Sequence, residues 1–142
     1  MRHLPLEINY ICKEKIFKMN IPSELLYSSK HIWIKIEGVT AHIGITDYAQ
    51  KQLGDIIYVD INCIGGKLKI DEVFGTLEAI KTVSELFLPI NGKVLELNQE
   101  LENLPTLVNT DPYGKGWIIK IELQNSTIDH LFNAEKYKEL VN

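Results

Sequence analysis

The chain is cut into short apolar runs of strand length, several bounded by glycine turn signals such as Gly38, Gly65-Gly66 and Gly92. A chain punctuated this way folds most readily as a compact β domain with helical additions. His31-Ile32-Trp33-Ile34-Lys35-Ile36-Glu37 alternates in polarity and stops at Gly38, with Thr40–Ile45 as its hairpin partner. Ile56–Ile61 is almost continuously apolar, so it is expected to be a buried strand, and Gly65-Gly66 marks a turn after it. Lys93–Leu97, after Gly92, and Trp117–Leu123 supply two further strands. Between them lie two β-favouring runs, Val73–Ile80 and Val83–Leu88, with Lys81 at their junction.

Three segments read as helical. Asp47–Leu53 has Thr46 or Asp47 as its N-cap and Gly54 just past its end. In Asn98–Asn109 the leucines have roughly helical spacing, but Pro105 interrupts them, which predicts a short turn or helix and then a loop. Ser126-Thr127-Ile128-Asp129 has the form of a capping box, with Asp in place of Glu. It is expected to open a helix through about Tyr137 that turns Ile128, Leu131 and Phe132 towards the β domain.

Composition narrows the function classes. A chain of 142 residues is long enough for one domain with its own core. The net charge of −4 argues against a nucleic-acid footprint. No apolar run is long enough to predict a transmembrane helix. Cys12 and Cys63 form no disulfide framework, and Cys63 is expected to be a buried or half-buried free thiol. His3, His31, His42 and His130 are scattered, so no metal site is predicted. No Ser-His-Asp or Cys-His constellation stands out, which argues for something other than an enzyme. Trp33 and Trp117 read as core aromatics, and Gly114 and Gly116 as residues of a tight turn.

Lys81 would stand at a hairpin tip with its amine in water. Such a lysine is either an ordinary solvated charge or the anchor for a group on a long arm, and the local pattern leaves both open. Lysine suits the second use, because a primary amine on a four-carbon stem can form an amide with a carboxyl group.

The segment Glu78-Ala79-Ile80-Lys81-Thr82-Val83-Ser84 resembles the lipoyl-attachment segment of glycine cleavage system H proteins, where Glu-Ser-Val-Lys-Ala is typical. His31-Ile32-Trp33, Gly44–Gln50, Leu53-Gly54-Asp55, Pro89–Gly92, Val108-Asn109 and Asp111–Trp117 follow the same family's order. The resemblance runs from about Met19 to the C-terminus. It implies a mainly β barrel-sandwich hybrid of the biotinyl and lipoyl carrier type, with a short inserted helix and a C-terminal helix. Residues 1–18 are then an N-terminal extension, expected to be weakly ordered, and residues 19–142 the carrier domain. Many members begin near the position of Met19, which makes Met19 the expected natural start.

The resemblance also implies a role for particular residues. Lys81 would carry lipoate as a covalent cofactor. Ile80 and Thr82 flank it, where biotin carriers usually have methionines. Glu78 would help the lipoylating enzyme recognise the tip. Glu85 and His31 would line a cleft that shelters the loaded arm, since excluding water protects a labile group. Each of these three also has a plain structural reading, as a solvated acid or a packed strand histidine. Ile32 stands where the family usually has glutamate, which removes one polar contact for the arm.

The implied function is a carrier that takes an aminomethyl group from the pyridoxal-phosphate glycine decarboxylase to the tetrahydrofolate-dependent aminomethyltransferase. Dihydrolipoamide dehydrogenase then reoxidises the arm. Two other uses of the same fold remain: a relay that donates lipoyl groups to 2-oxo acid dehydrogenase complexes, and a binding module whose lysine stays unmodified. The expected state is a monomer in the bacterial cytoplasm, with no nucleic-acid or membrane partner.

Overall fold

A computed structural model describes residues 19–125 and 127–142. Among the described residues, nine antiparallel strands form two sheets. The first has six strands in the order β1-β2-β3-β9-β8-β5: Leu26–Tyr27 (β1), Ile32–Glu37 (β2), Thr40–Ile45 (β3), Ile119–Leu123 (β9), Gly92–Leu97 (β8) and Lys67–Leu68 (β5). The second has three, in the order Ile56–Asp60 (β4), Val73–Ala79 (β6) and Val83–Phe87 (β7). Both sheets contribute to one apolar core, in which Ile34, Ile43 and Ile121 from the first pack with Phe74, Leu77 and Leu86 from the second. This is the mainly β, barrel-sandwich arrangement expected from the sequence, and the C-terminal helix is present. The expected extension, residues 1–18, lies outside the described residues, and Cys12 and His3 with it.

Strand β2 shows how position decides burial. Ile32 and Ile34 face the main core, while Trp33, on the opposite face, is equally buried. A second apolar cluster covers that face, with Tyr27 and Tyr137 stacked at 4.7 Å between ring centroids. Tyr137 belongs to the C-terminal helix, Ala134–Val141 (α4). Trp33 can lie flat there because its cross-strand partner is Gly44: a Cβ at that position would come within 2.7 Å of the indole Nε1. The indole N–H donates to the Pro112 carbonyl at 2.9 Å. Trp117 is only half-buried, with its ring edge-on to His42.

The inserted helix, Asp47–Leu53 (α1), starts where expected. The Thr46 hydroxyl caps it by accepting from the Ala49 N–H, and Gly54 ends it at φ 80°. The Asn98–Asn109 segment forms two single turns, Glu100–Asn103 (α2) and Leu107–Thr110 (α3), on either side of Pro105. Gly116 follows for reasons of space, since a Cβ there would meet the Leu107 carbonyl at 2.4 Å.

Two expectations need correction. The run from Ile56 is not a buried strand. It forms an edge of the smaller sheet, with Ile56 buried but Ile57 and Tyr58 more than half exposed. The helix expected from Ser126 does not form there. Ser126 itself lies outside the described residues, but Thr127–His130 is not helical, and α4 begins only after Asn133, whose side chain caps it by accepting from the Lys136 N–H. Tyr27 and Phe132 exchange backbone hydrogen bonds at 2.9 and 2.7 Å, and this bridge holds the chain extended up to the cap. Leu131 and Phe132 pack inward as expected, whereas Ile128 stays 49% exposed.

Candidate functional site

Strands β6 and β7 pair from Val73–Phe87 to Glu78–Val83, so the chain must reverse over Ile80, Lys81 and Thr82. The Ala79 N–H donates to the Thr82 carbonyl at 2.8 Å and closes the turn. The Ile80 N–H donates to the Asp55 carbonyl at 3.2 Å, which ties the turn to the chain ahead of β4. All three turn residues are exposed, and Lys81 stands at the tip as the sequence predicts. Ile80 and Val83 beside it are exposed apolar residues, at 66% and 60%. A lysine flanked by uncovered apolar side chains is a surface that another protein can grip.

Glu78 lies on the outer face of the smaller sheet. It pairs in register with Val83 on one side and Tyr58 on the other, and all three are exposed. It is therefore accessible beside the tip.

Glu85 and His31 are brought together. Both line a cleft of about 150 Å³ between β7, the start of β2 and α1, along with Lys30, Ile32, Tyr48 and Ser84. Glu85 is exposed at its edge. The Lys30 ammonium sits 4.2 Å over the Phe87 ring and 3.8 Å from the Asp71 carboxylate, so its charge is partly engaged away from Glu85. Ile45, Leu53 and Leu86 make the cleft wall apolar. An apolar wall with a carboxylate at the edge fits a hydrocarbon arm that ends in a polar, protonatable group.

His31 is held in an uncommon backbone conformation, φ 66°, by a hydrogen bond from the Thr46 N–H to its carbonyl at 3.1 Å. Its Nδ1 lies 2.8 Å from the Tyr137 hydroxyl, and its ring packs beside Tyr48 at 4.8 Å. Burial pushes its pKa below the usual imidazole value. The Tyr137 phenol, buried in turn, is pushed up to about 12 and stays protonated at neutral pH. Sequence reading placed Thr46 as a helix cap and Tyr137 at a helix end but gave neither a part in the site. The 106-residue separation between His31 and Tyr137 left no local signal to find.

Ile32 is 2% exposed and belongs to the main core as well as the cleft wall. The other predicted histidines lie elsewhere: His42 is 3.7 Å from Glu37, and His130 contacts the Pro89 carbonyl at 2.7 Å. Cys63 is a half-buried free thiol that donates to the Phe74 carbonyl. Among the described residues, no group of three or more metal-ligating side chains comes together, and no helix is long and apolar enough to cross a membrane.

A two-sheet β domain that offers a lysine at a hairpin tip, beside a partly apolar cleft, defines a carrier domain of the barrel-sandwich type. The sequence profile of the family described as glycine cleavage H-protein matches residues 25–142. A glycine cleavage system H protein of Bacteroides fragilis is 54% identical over 125 residues, covering 87% of this chain and 99% of its own. One of Staphylococcus haemolyticus is 48% identical over 124 residues, covering 87% and 98%. The crystal structure of a glycine cleavage system H protein from Mycobacterium marinum superposes with a TM-score of 0.76 at 32% identity, over 84% of this chain and 97% of that one. The chain belongs to the glycine cleavage H-protein family. That family supplies the lipoyl-carrying shuttle of the glycine cleavage system, a carrier and not a catalyst.

Proposed function

We propose that this chain carries lipoate as an amide on Lys81 and shuttles an aminomethyl group on that arm, from the glycine decarboxylase to the aminomethyltransferase. The observation that carries this reading is the placement of Lys81. It is exposed at a tip closed by backbone hydrogen bonds, on the same hairpin whose second strand forms a wall of the cleft. When attached, lipoate supplies a dithiolane able to accept and release a one-carbon unit. The residues of the chain do the rest. Lys81 provides reach, on the order of 10 Å or more for stem and arm together. Glu85 lies four residues along β7 from Lys81, about 13 Å of strand, which is comparable to that reach. Glu85 balances the charge of a protonated amine, the apolar wall excludes water, and His31 lines the same cleft.

Glu78, exposed beside the tip, helps the lipoylating enzyme select this lysine among fourteen. Dihydrolipoamide dehydrogenase is the third partner enzyme of the cycle. The carrier domain spans residues 19–142, residues 1–18 are an appended segment, and the setting is the cytoplasm of a bacterium, in keeping with the bacterial relatives.

Intact mass and peptide mapping of the protein from its native host test the reading. One lipoyl or octanoyl group on Lys81, absent in Lys81→Arg, is the expected result. An unmodified Lys81 in a host with active lipoylation overturns it.

A further inference from the structure

The hydrogen bonds behind His31 allow only one arrangement of protons. Thr46 and Tyr137 are both fully buried. The Thr46 hydroxyl accepts from the Ala49 N–H at 3.1 Å and lies 2.7 Å from the Tyr137 hydroxyl. The Tyr137 hydroxyl in turn lies 2.8 Å from His31 Nδ1. The Thr46 proton has one acceptor among these contacts, the Tyr137 oxygen. The Tyr137 proton is then left for His31 Nδ1, which must present its lone pair. The reverse direction would put a proton on Nδ1 and leave the Thr46 hydroxyl with a buried proton and no acceptor, an arrangement that is costly away from water.

We infer that Tyr137, ordered by Thr46, is a positioning residue that fixes His31 as the neutral tautomer with its proton on Nε2. His31, which lines the cleft, is thus a hydrogen-bond donor at its remaining ring nitrogen, and not a base or a cation. The arrangement agrees with the burial of the ring, which also disfavours the charged form. The other titratable groups lining the cleft are the Tyr48 phenol beside the ring, Lys30 and Glu85, and Gln52 and Ser84 add uncharged polar side chains. A neutral His31 adds no second positive charge beside Lys30 to compete for Glu85, whereas an imidazolium would. The tautomer assignment stands on the hydrogen-bond geometry alone; the assignment of the cleft to a carried arm rests on the function proposed above.

The test is nitrogen-15 NMR of the histidine side chains in the unmodified full chain at about pH 7.5, with His31 assigned by its loss in His31→Gln. The expected spectrum shows one His31 tautomer, Nδ1 unprotonated and Nε2 protonated. Tyr137→Phe keeps the ring stack on Tyr27 but removes the hydroxyl. It should give mixed tautomers and raise the His31 titration midpoint by roughly half to one unit. Thr46→Ser retains a hydroxyl and should leave the spectrum unchanged. A proton on Nδ1 or a mixture in the wild-type chain overturns the inference, and so does a Tyr137→Phe spectrum identical to wild type. If Tyr137→Phe does not fold, the wild-type spectrum decides alone. These readouts do not depend on Lys81 modification, so either proposal can fail without the other.

Discussion

Asn109 holds Ile56 in place: its side-chain carbonyl accepts the Ile56 N–H at 2.9 Å. The same side chain donates to the Gly54 carbonyl at 2.8 Å and to the Gln50 side chain at 3.0 Å. Ile56 pairs with Ala79, and Ala79 closes the turn that presents Lys81. One amide thus fastens α1 and β4 beneath the tip. Asn109→Ala should lower stability by about 1–3 kcal/mol, because it strands partners that are partly removed from water. A denaturant midpoint equal to wild type would show that water replaces these bonds at no cost.

Gly44→Ala should destabilise by about 1–3 kcal/mol, since the new methyl must displace the Trp33 indole from a packed cluster. Tryptophan fluorescence should change in the same variant, because Trp33 loses its present burial and its bond to Pro112. An unchanged melting temperature with an unchanged emission spectrum would contradict the packing described.

Stability should fall as the solution is acidified from pH 7 to pH 5. The folded-state pKa values of His31 and His42 are both lowered, chiefly by burial. The unfolded chain therefore takes up protons first, near pH 6.5, and stability is lost progressively below that value. His31→Gln should flatten this part of the profile. At His42 burial is opposed by Glu37 but aided by Lys120 and Lys35, so that histidine should contribute in the same direction. A pH profile in His31→Gln as steep as wild type would contradict a lowered His31 pKa.

Ile32→Glu introduces, at a cost, the acid that the family resemblance implies at this position. The position is in the core, so a carboxylate there loses solvation and its pKa rises. The variant should be less stable than wild type at pH 7, with the deficit shrinking as the pH falls towards about 4.3, the unfolded carboxyl's value, and levelling off below it. If the introduced acid still reaches the cleft, the loaded aminomethyl group should decay more slowly than on wild type. Equal decay rates would show that Ile32 has no bearing on shelter.

What the sequence made legible was local. The β2–β3 pair, the Thr46 cap and the hairpin at Lys81 all announce themselves within a dozen residues, because alternation, capping and turn chemistry act over that distance. The family blocks added the order of the rest. What stayed hidden depends on partners distant in the chain. Ile57 and Tyr58 look like core residues until β4 proves to lie at a sheet edge. The capping box at Ser126 loses to the extended bridge between Tyr27 and Phe132, a contact no local pattern encodes. The resemblance puts Glu85 and His31 on one cleft, but no local pattern encodes that cleft, and Tyr137 behind it arises only from packing.

The turn around Lys81 is secured by main-chain groups alone, Ala79 to Thr82 and Ile80 to Asp55. Its shape is therefore insensitive to which side chains occupy positions 80 and 82. Those two positions can be rewritten to alter how tightly a partner docks without changing where the amine is held. Surface chemistry and backbone placement are thus separately adjustable at this tip, since substitutions can alter the one while main-chain bonds keep the other.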